Sequence, residues 1–402
     1  MKSRHPGGIV FGIIVINPQP PNRLNHESVP MKSAFRRQTL VSFTRRLTLT
    51  LAFALTTGFL ASSLTSCSTC DSSSAFSLPE VTEDNFGAYL MVSFREQNHD
   101  IFFALSSDGY TFTDVNGNKP VLLGIDLAEQ KGIRDPHIFR GPDGFYMAAT
   151  DLHIYAQRQG LRSTQWQRDA QKYGWGNNRS LVLMKSKDLI NWTSTHFDVA
   201  AAFPELGDIS QAWAPETGYD PVEKKIFVYF TLGLEGGEVK QLYWAYTDKD
   251  FTKLVTVPKH IGFDPDLGTH SYIDGDLSYG NGKYHLFDYD SGIKHAESDH
   301  LLYGYKYVSD ENCAKTGGAV EAPNVWRRIG TDKYVLMFDN YSFPNEMAFG
   351  ETTDFREFTN LGRFNQGVMK TTNFTGAKHG AVIALTKDEA EAFARYCGLE
   401  KY

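Results

Sequence analysis

Ile133-Arg134-Asp135-Pro136-His137-Ile138 sets an acid and an imidazole at the head of a short apolar strand, and four later segments repeat that plan. They are Trp213-Ala214-Pro215-Glu216, Tyr272-Ile273-Asp274-Gly275-Asp276, Val320-Glu321-Ala322-Pro323 and Ala377-Lys378-His379-Gly380. Behind the first four comes a turn and then an aromatic-rich apolar strand: Phe145-Tyr146-Met147-Ala148, Ile226-Phe227-Val228-Tyr229, Lys283-Tyr284-His285-Leu286 and Lys333-Tyr334-Val335-Leu336. A third unit closes each set, a small polar step, an Asp, and a large apolar residue four positions on, as in Ser186/Asp188/Trp192 and Thr352/Asp354/Phe358. With Gly, Asn and Asp turns between them, these are strand signals in a repeating array.

The two ends decide how the sets join. Tyr89-Leu90-Met91-Val92 with Ser106/Asp108/Phe112 is a set lacking its leading strand, whereas Gly380-Ala381-Val382-Ile383-Ala384-Leu385 is a leading strand with no set behind it. Joining them completes a fifth unit and leaves no open edge. The expected fold is therefore all-β, a five-bladed β-propeller closed by pairing of the N- and C-terminal strands. A β-sandwich with coincidental spacing would not leave one orphan strand at each end. After the closure, Thr386-Lys387-Asp388-Glu389 has capping-box spacing and predicts a short helix through Cys397. The stretch from Ile154 to Ser180 has no strand period and predicts a loop or lid beside the mouth of the ring. Its Trp166, Tyr173, Trp175 and Arg162 are available to contact sugars or simply to pack.

Composition agrees with a globular, strand-rich protein: 402 residues, 41% hydrophobic, 22% charged, 13% aromatic, with 35 Gly and 16 Pro. A net charge of -7 gives no reason to expect nucleic acid or an anionic membrane surface as partner. Residues 1–75 read as leader and tether, and 76–402 as the propeller domain. From Met31, which reads as the natural start, basic residues (Lys32, Arg36, Arg37, Arg45, Arg46) precede the apolar run Leu47 to Ala61 and then Leu64-Thr65-Ser66-Cys67. The last four resemble a bacterial lipobox in which Cys67 is lipidated. An ordinary cleavage site or a single membrane anchor is the alternative, although the run is short for a span. The expected location is lipid-anchored at the outer membrane or cell surface, otherwise periplasmic, with Ser68 to Ser77 as tether and membrane contact only through the lipid. Cys313 and Cys397 could pair only in an oxidising compartment, which the sequence does not decide, and no Cys/His spacing suggests zinc.

The leading strand of each blade lines the central channel, so Asp135, Glu216, Asp274, Glu321 and His379 are expected to converge near one end of the axis. Clustered carboxylates raise one another's pKa. Two carboxyl groups with separated pKa values are what glycosidic bond hydrolysis needs, one to protonate the leaving oxygen and one to activate water. Each residue also has a plainer reading: turn carboxylates at Asp135, Glu216 and Glu321, a buried hydrogen-bonded His379, and blade packing for Trp213.

Arg134-Asp135-Pro136-His137-Ile138, Trp213-Ala214-Pro215-Glu216, Ile273-Asp274, Glu321-Ala322-Pro323 and Lys378-His379-Gly380, one per blade and in this order, resemble glycoside hydrolase family 43 over Tyr89 to Leu385. The resemblance implies an inverting mechanism with Asp135 as general base, Glu321 as general acid and Asp274 as the third carboxylate that holds the acid's pKa up. His379 matches an axial histidine that in many relatives helps hold a calcium or sodium ion through water; no cofactor is required. Glu216 has no settled catalytic role in that pattern and is expected, with Arg134, Trp213 and Asp276, on the substrate side. Ala322 stands where relatives commonly carry Gly, and Asp276, two residues beyond Asp274, competes with it for the third role. The implied substrate is an oligo- or polysaccharide bearing a terminal α-L-arabinofuranoside, β-D-xyloside or galactoside. A non-catalytic carbohydrate-binding propeller is the second reading. A covalent mechanism, with carboxyls about 5 Å apart instead of roughly 6.5 to 9.5 Å, or a phosphorolytic enzyme is the third.

Overall fold

The computed structural model describes residues 81–402, apart from 235–237, 310, 317 and 343–344, together with the strand Gly12–Val15. The leader, Cys67 and the Ser-rich tether lie outside the described residues. Among the described residues five sheets follow one another along the chain, antiparallel but for one short parallel strand pair at the outer edge of the closing sheet, and in each the leading strand forms one edge and packs against the leading strands of the neighbouring sheets. Blade 2 opens with Ile133–Gly141, blade 3 with Ile209–Asp220, blade 4 with Ile273–Gly280 and blade 5 with Val320–Arg327. Blade 1 is assembled from both ends: its inner strand is Ala377–Thr386, paired antiparallel with Phe86–Arg95 from Phe86↔Thr386 to Arg95↔Ala377. The closure expected from the orphan strands is the one observed.

These strands are buried along nearly their whole length, so each blade has two buried faces, and among the described residues five separate apolar clusters fill the gaps between neighbours. One joins blades 1 and 2 through Leu90, Phe103, Phe145, Met147 and Trp192. Others join blades 2 and 3, 3 and 4, and 4 and 5. The fifth, with Tyr89, Met91, Phe112, Trp326 and Met337, joins blade 5 back to blade 1. Three of the predicted Asp turns share one hydrogen-bond plan. In them Asp108, Asp188 and Asp354 accept from backbone N–H groups two and three residues on, and from Ser106, Ser186 and Thr352.

The terminal helix runs from Lys387 to Cys397, with Thr386 and Glu389 forming the capping box and Gly398 in the left-handed conformation at its end. Ala390, Phe393 and Ala394 bury one stripe of it in the cluster between blades 1 and 2. Cys313 and Cys397 are free thiols. The strand Gly12–Val15 pairs antiparallel with Asn191–Asp198 at the outer edge of blade 2. Among the described residues no helix is long and apolar enough to cross a membrane.

Candidate active site

Every leading strand carries one extra residue relative to its partner at the same place, just past its start. The shifts fall between Arg134 and His137, Ile273 and Asp276, and Glu321 and Asn324, and in the pairings Trp213↔Thr231/Glu216↔Tyr229 and Lys378↔Phe94/Ala381↔Val92. A bulge of this kind re-aims side chains and is common beside active sites. At four of the five bulges the backbone takes a left-handed conformation: Asp135 (φ 52), Ala214 (φ 44), Asp274 (φ 53) and Ala322 (φ 59). Non-glycine residues adopt it at a cost of about 1–2 kcal/mol, so Ala322 occupies the conformation that Gly takes freely.

The bulges sort the expected residues into two tiers. Residues before or at the bulge, including Arg134, Asp135, Trp213, Asp274, Glu321 and His379, line one cavity of about 290 Å³. Residues just past it do not. Asp276 and His137 line a second cavity of about 320 Å³, and Glu216 is buried beside them against Tyr229. Glu216 and Asp276 therefore do not join the cavity that holds the other acids, and Asp274 is the acid that faces Asp135 and Glu321. The physical reason is the inserted residue, which turns positions two apart into separate levels of the channel.

Within the first cavity Asp135 is held from two sides, by Thr150 Oγ1 at 2.8 Å and by His379 Nδ1 at 3.2 Å. Burial pushes its carboxyl up, but the charge of His379 and the nearby Arg134 outweigh this and hold it below the usual range. His379 moves the opposite way: burial opposes its charge, yet Asp135, Asp274 and Asp339 raise it to about 9. Burial lifts Asp274 to about 8, reinforced by Glu321 and Asp135, and burial also raises Glu321 while the Tyr341 hydroxyl donated to it pulls the other way. The cavity thus sets Asp135, held below the usual carboxylate range, against Asp274 and Glu321, both held above it.

Arg134 is tied to Glu96 (3.3 Å) and lies 3.9 Å from Asp135. The indole of Trp213 donates to the Gly176 carbonyl at 2.9 Å, and its ring borders the cavity. Asp339, hydrogen-bonded to the His379 backbone N–H at 3.0 Å and 3.6 Å from Lys378 Nζ, was not foreseen, and neither were Thr150, Tyr341 and Glu96. Three of these four are neighbours of the acid-headed strands across a hairpin. Thr150 pairs with Arg134, Asp339 with Glu321, and Tyr341 follows two residues later. Their signal lay in register, which motif spacing does not carry.

His379 turns Nδ1 to an Asp135 oxygen at 3.2 Å, so an axial ion of the kind the resemblance implies would reach this histidine through water. Ligand atoms that could hold one crowd together in the lower tier instead, where His137, Glu216 and Asp276 lie within 4.8 Å of one another. Burial raises Glu216 well above the usual range and Asp276 to about 7, the direction a bound cation would reverse by displacing their protons.

A closed five-bladed ring whose cavity sets an acid held below the usual carboxylate range against two held above it defines a class, the propeller glycoside hydrolases. The chain belongs to the glycosyl hydrolase 43-related family, described as a "probable glycosyl hydrolase domain", which matches residues 84–391. Among curated proteins none matches the sequence. Similar solved structures include a GH43 protein from Bacillus licheniformis, with 15% identity and TM-score 0.45 over 74% of this chain and 55% of that one. A GH62 α-L-arabinofuranosidase catalytic domain from Coprinopsis cinerea shows 13% identity and TM-score 0.42, over 61% and 74% of the two chains. An exo-β-1,3-galactanase from Clostridium thermocellum shows 14% identity and TM-score 0.42, over 65% and 59%. The chain thus spans about half the length of the Bacillus licheniformis protein.

Proposed function

We propose that the protein is an inverting exo-glycosidase that removes one neutral terminal sugar, with Asp135 as base and Glu321 as acid. The observation that carries this reading is the charge separation in one small cavity. Asp135, fixed by Thr150 and His379 and held below the usual carboxylate range, is the group suited to accept a proton from water, while Glu321, raised by burial and by the nearby Asp339, is the group suited to deliver one to the departing oxygen. Tyr341 and Asp339 surround Glu321 and His379 and fix their orientation.

The size of the cavity, near the lower end of ligand pockets (roughly 300 Å³), suits a single ring and hence a chain end. The two cations lining it, Arg134 and His379, each already have a carboxylate partner. That favours a neutral sugar over a uronate, and hydrolysis over phosphorolysis, which needs a free cationic phosphate site. The terminal sugar in this proposal is an α-L-arabinofuranoside, a β-D-xyloside or a galactoside, and the enzyme acts outside the cytoplasm, anchored through Cys67. Any axial ion is structural and sits with His137, Glu216 and Asp276.

A screen on aryl arabinofuranosides, xylosides and galactosides tests the reading with wild type, Asp135→Asn and Glu321→Gln. Asp135→Asn is expected to lose activity on every substrate. Glu321→Gln is expected to lose about 10²–10⁴-fold on poor leaving groups and far less on activated aryl ones, because only the former need protonation. Equal loss on both would remove Glu321 from the acid's role, and glycan binding with no turnover by any of the three proteins would favour a binding propeller.

A further inference from the structure

Ile154 to Ser180 contains one feature that the chemistry at Asp135 and Glu321 does not require. Trp175 is 56% exposed, yet it lines the same cavity as the acids. Its ring meets Trp166 on one side (centroids 5.5 Å apart, edge contact) and Trp213 on the other (5.9 Å, edge contact). Gly174 (φ 78) and Gly176 (φ 63) flank it in the left-handed conformation, and a Cβ on Gly176 would press on Trp213 at 3.1 Å.

The loop around it is built rather than loose. Asn177 Nδ2 donates to the Arg168 and Gly174 carbonyls at 3.1 and 2.9 Å, Gln211 Nε2 donates to the Tyr173 carbonyl at 2.8 Å, and Trp213 clamps Gly176. A fixed indole left open to water at the rim of a polar cavity keeps an apolar face available to a ligand.

We propose that Trp175 is the stacking platform for the sugar ring on the leaving-group side of the scissile bond, so that the preferred substrate is an oligosaccharide end rather than a simple glycoside. The inference rests on the hydrolase reading and extends it to the far side of the bond. Asp135, Asp274 and His379 are buried at the bottom of the cavity, where the terminal sugar must sit. A group at the exposed rim then faces whatever that sugar is attached to. A sugar ring presents a flat C–H face, and an aromatic face is the surface that takes it without needing a particular pattern of hydroxyls.

The test compares disaccharides with methyl glycosides of the same terminal sugar, since a methyl group offers no ring to stack. The pairs are α-1,5-arabinobiose, β-1,4-xylobiose and β-1,3-galactobiose against methyl α-L-arabinofuranoside, methyl β-D-xyloside and methyl β-D-galactoside. For whichever pair the wild type cleaves, Trp175→Ala is expected to lower kcat/KM on the disaccharide about tenfold, mostly through KM. On the methyl glycoside it is expected to leave kcat/KM within twofold. Trp175→Phe is expected to recover most of the loss, and because the residue is exposed the thermal midpoint of both variants stays at the wild-type value. Equal losses on both members of a pair, or no loss on the disaccharide, overturn the platform and leave the hydrolase reading standing. If wild type turned over none of the six, the hydrolase reading would fall and this inference with it.

Discussion

The proton on His379 is what lets Asp135 remain a carboxylate in a buried site, and the pair's pH dependence follows from its signs. Asp135 is depressed on folding, so its contribution is present above the usual carboxylate range (3.8) and lost as pH falls below it. His379 is raised from 6.5 to about 9, so its contribution is complete below pH 6.5 and lost as pH rises through about 9. His379→Gln, which leaves Asp135 buried without its counter-charge, is expected to destabilise the protein by about 3 kcal/mol near pH 6. Urea unfolding across pH 6 to 10 should show that deficit shrinking towards pH 10, where the wild type has lost its own proton. A deficit independent of pH would mean that the pair is not ionic. At this scale the acids themselves were legible, since each heads an apolar strand where a charge has no packing role. The choice between Asp274 and Asp276 was not, because both lie on one strand face if no residue is inserted between them and their partners.

That inserted residue belongs to the element, and it recurs in all five blades. It explains why Glu321 precedes its bulge while Asp135 and Asp274 occupy theirs, and why Glu216 falls one level lower. Strand periodicity predicts which residues share a face, but a bulge resets the count, and only the cross-strand register reveals it. The loop carrying Trp175 was legible as a break in strand period, whereas its rigidity depends on side-chain ties from Asn177 and Gln211 that no local pattern announces. The terminal helix was legible from its capping box, and its role emerges from its packing. Phe393 lies against Phe103 (centroids 6.0 Å), and Glu389 takes Arg140 of blade 2 at 2.5 Å, so the helix fastens blade 1 to its neighbour next to the closure. Phe393→Ala is expected to cost about 3–5 kcal/mol in equilibrium unfolding. A loss below about 1 kcal/mol would show that the helix is an appendage.

For the whole molecule, closure is the step that makes a site possible. Five apolar clusters, one at each blade-to-blade gap, hold the ring. The last of them exists only because Ala377–Thr386 returns to pair with Phe86–Arg95. That return also brings His379 beside Asp135, residues far apart in sequence, so the pocket's charge balance depends on the same pairing as the fold. Ring closure could be read from one orphan strand at each end, whereas the depth and contents of the cavity required coordinates. The central claim is that separate acid and base groups act on opposite sides of one bond in this cavity. It is tested most directly by proton NMR of the first anomer released from whichever aryl glycoside the wild type cleaves. The account predicts a product of inverted anomeric configuration before mutarotation; a retained configuration would contradict it.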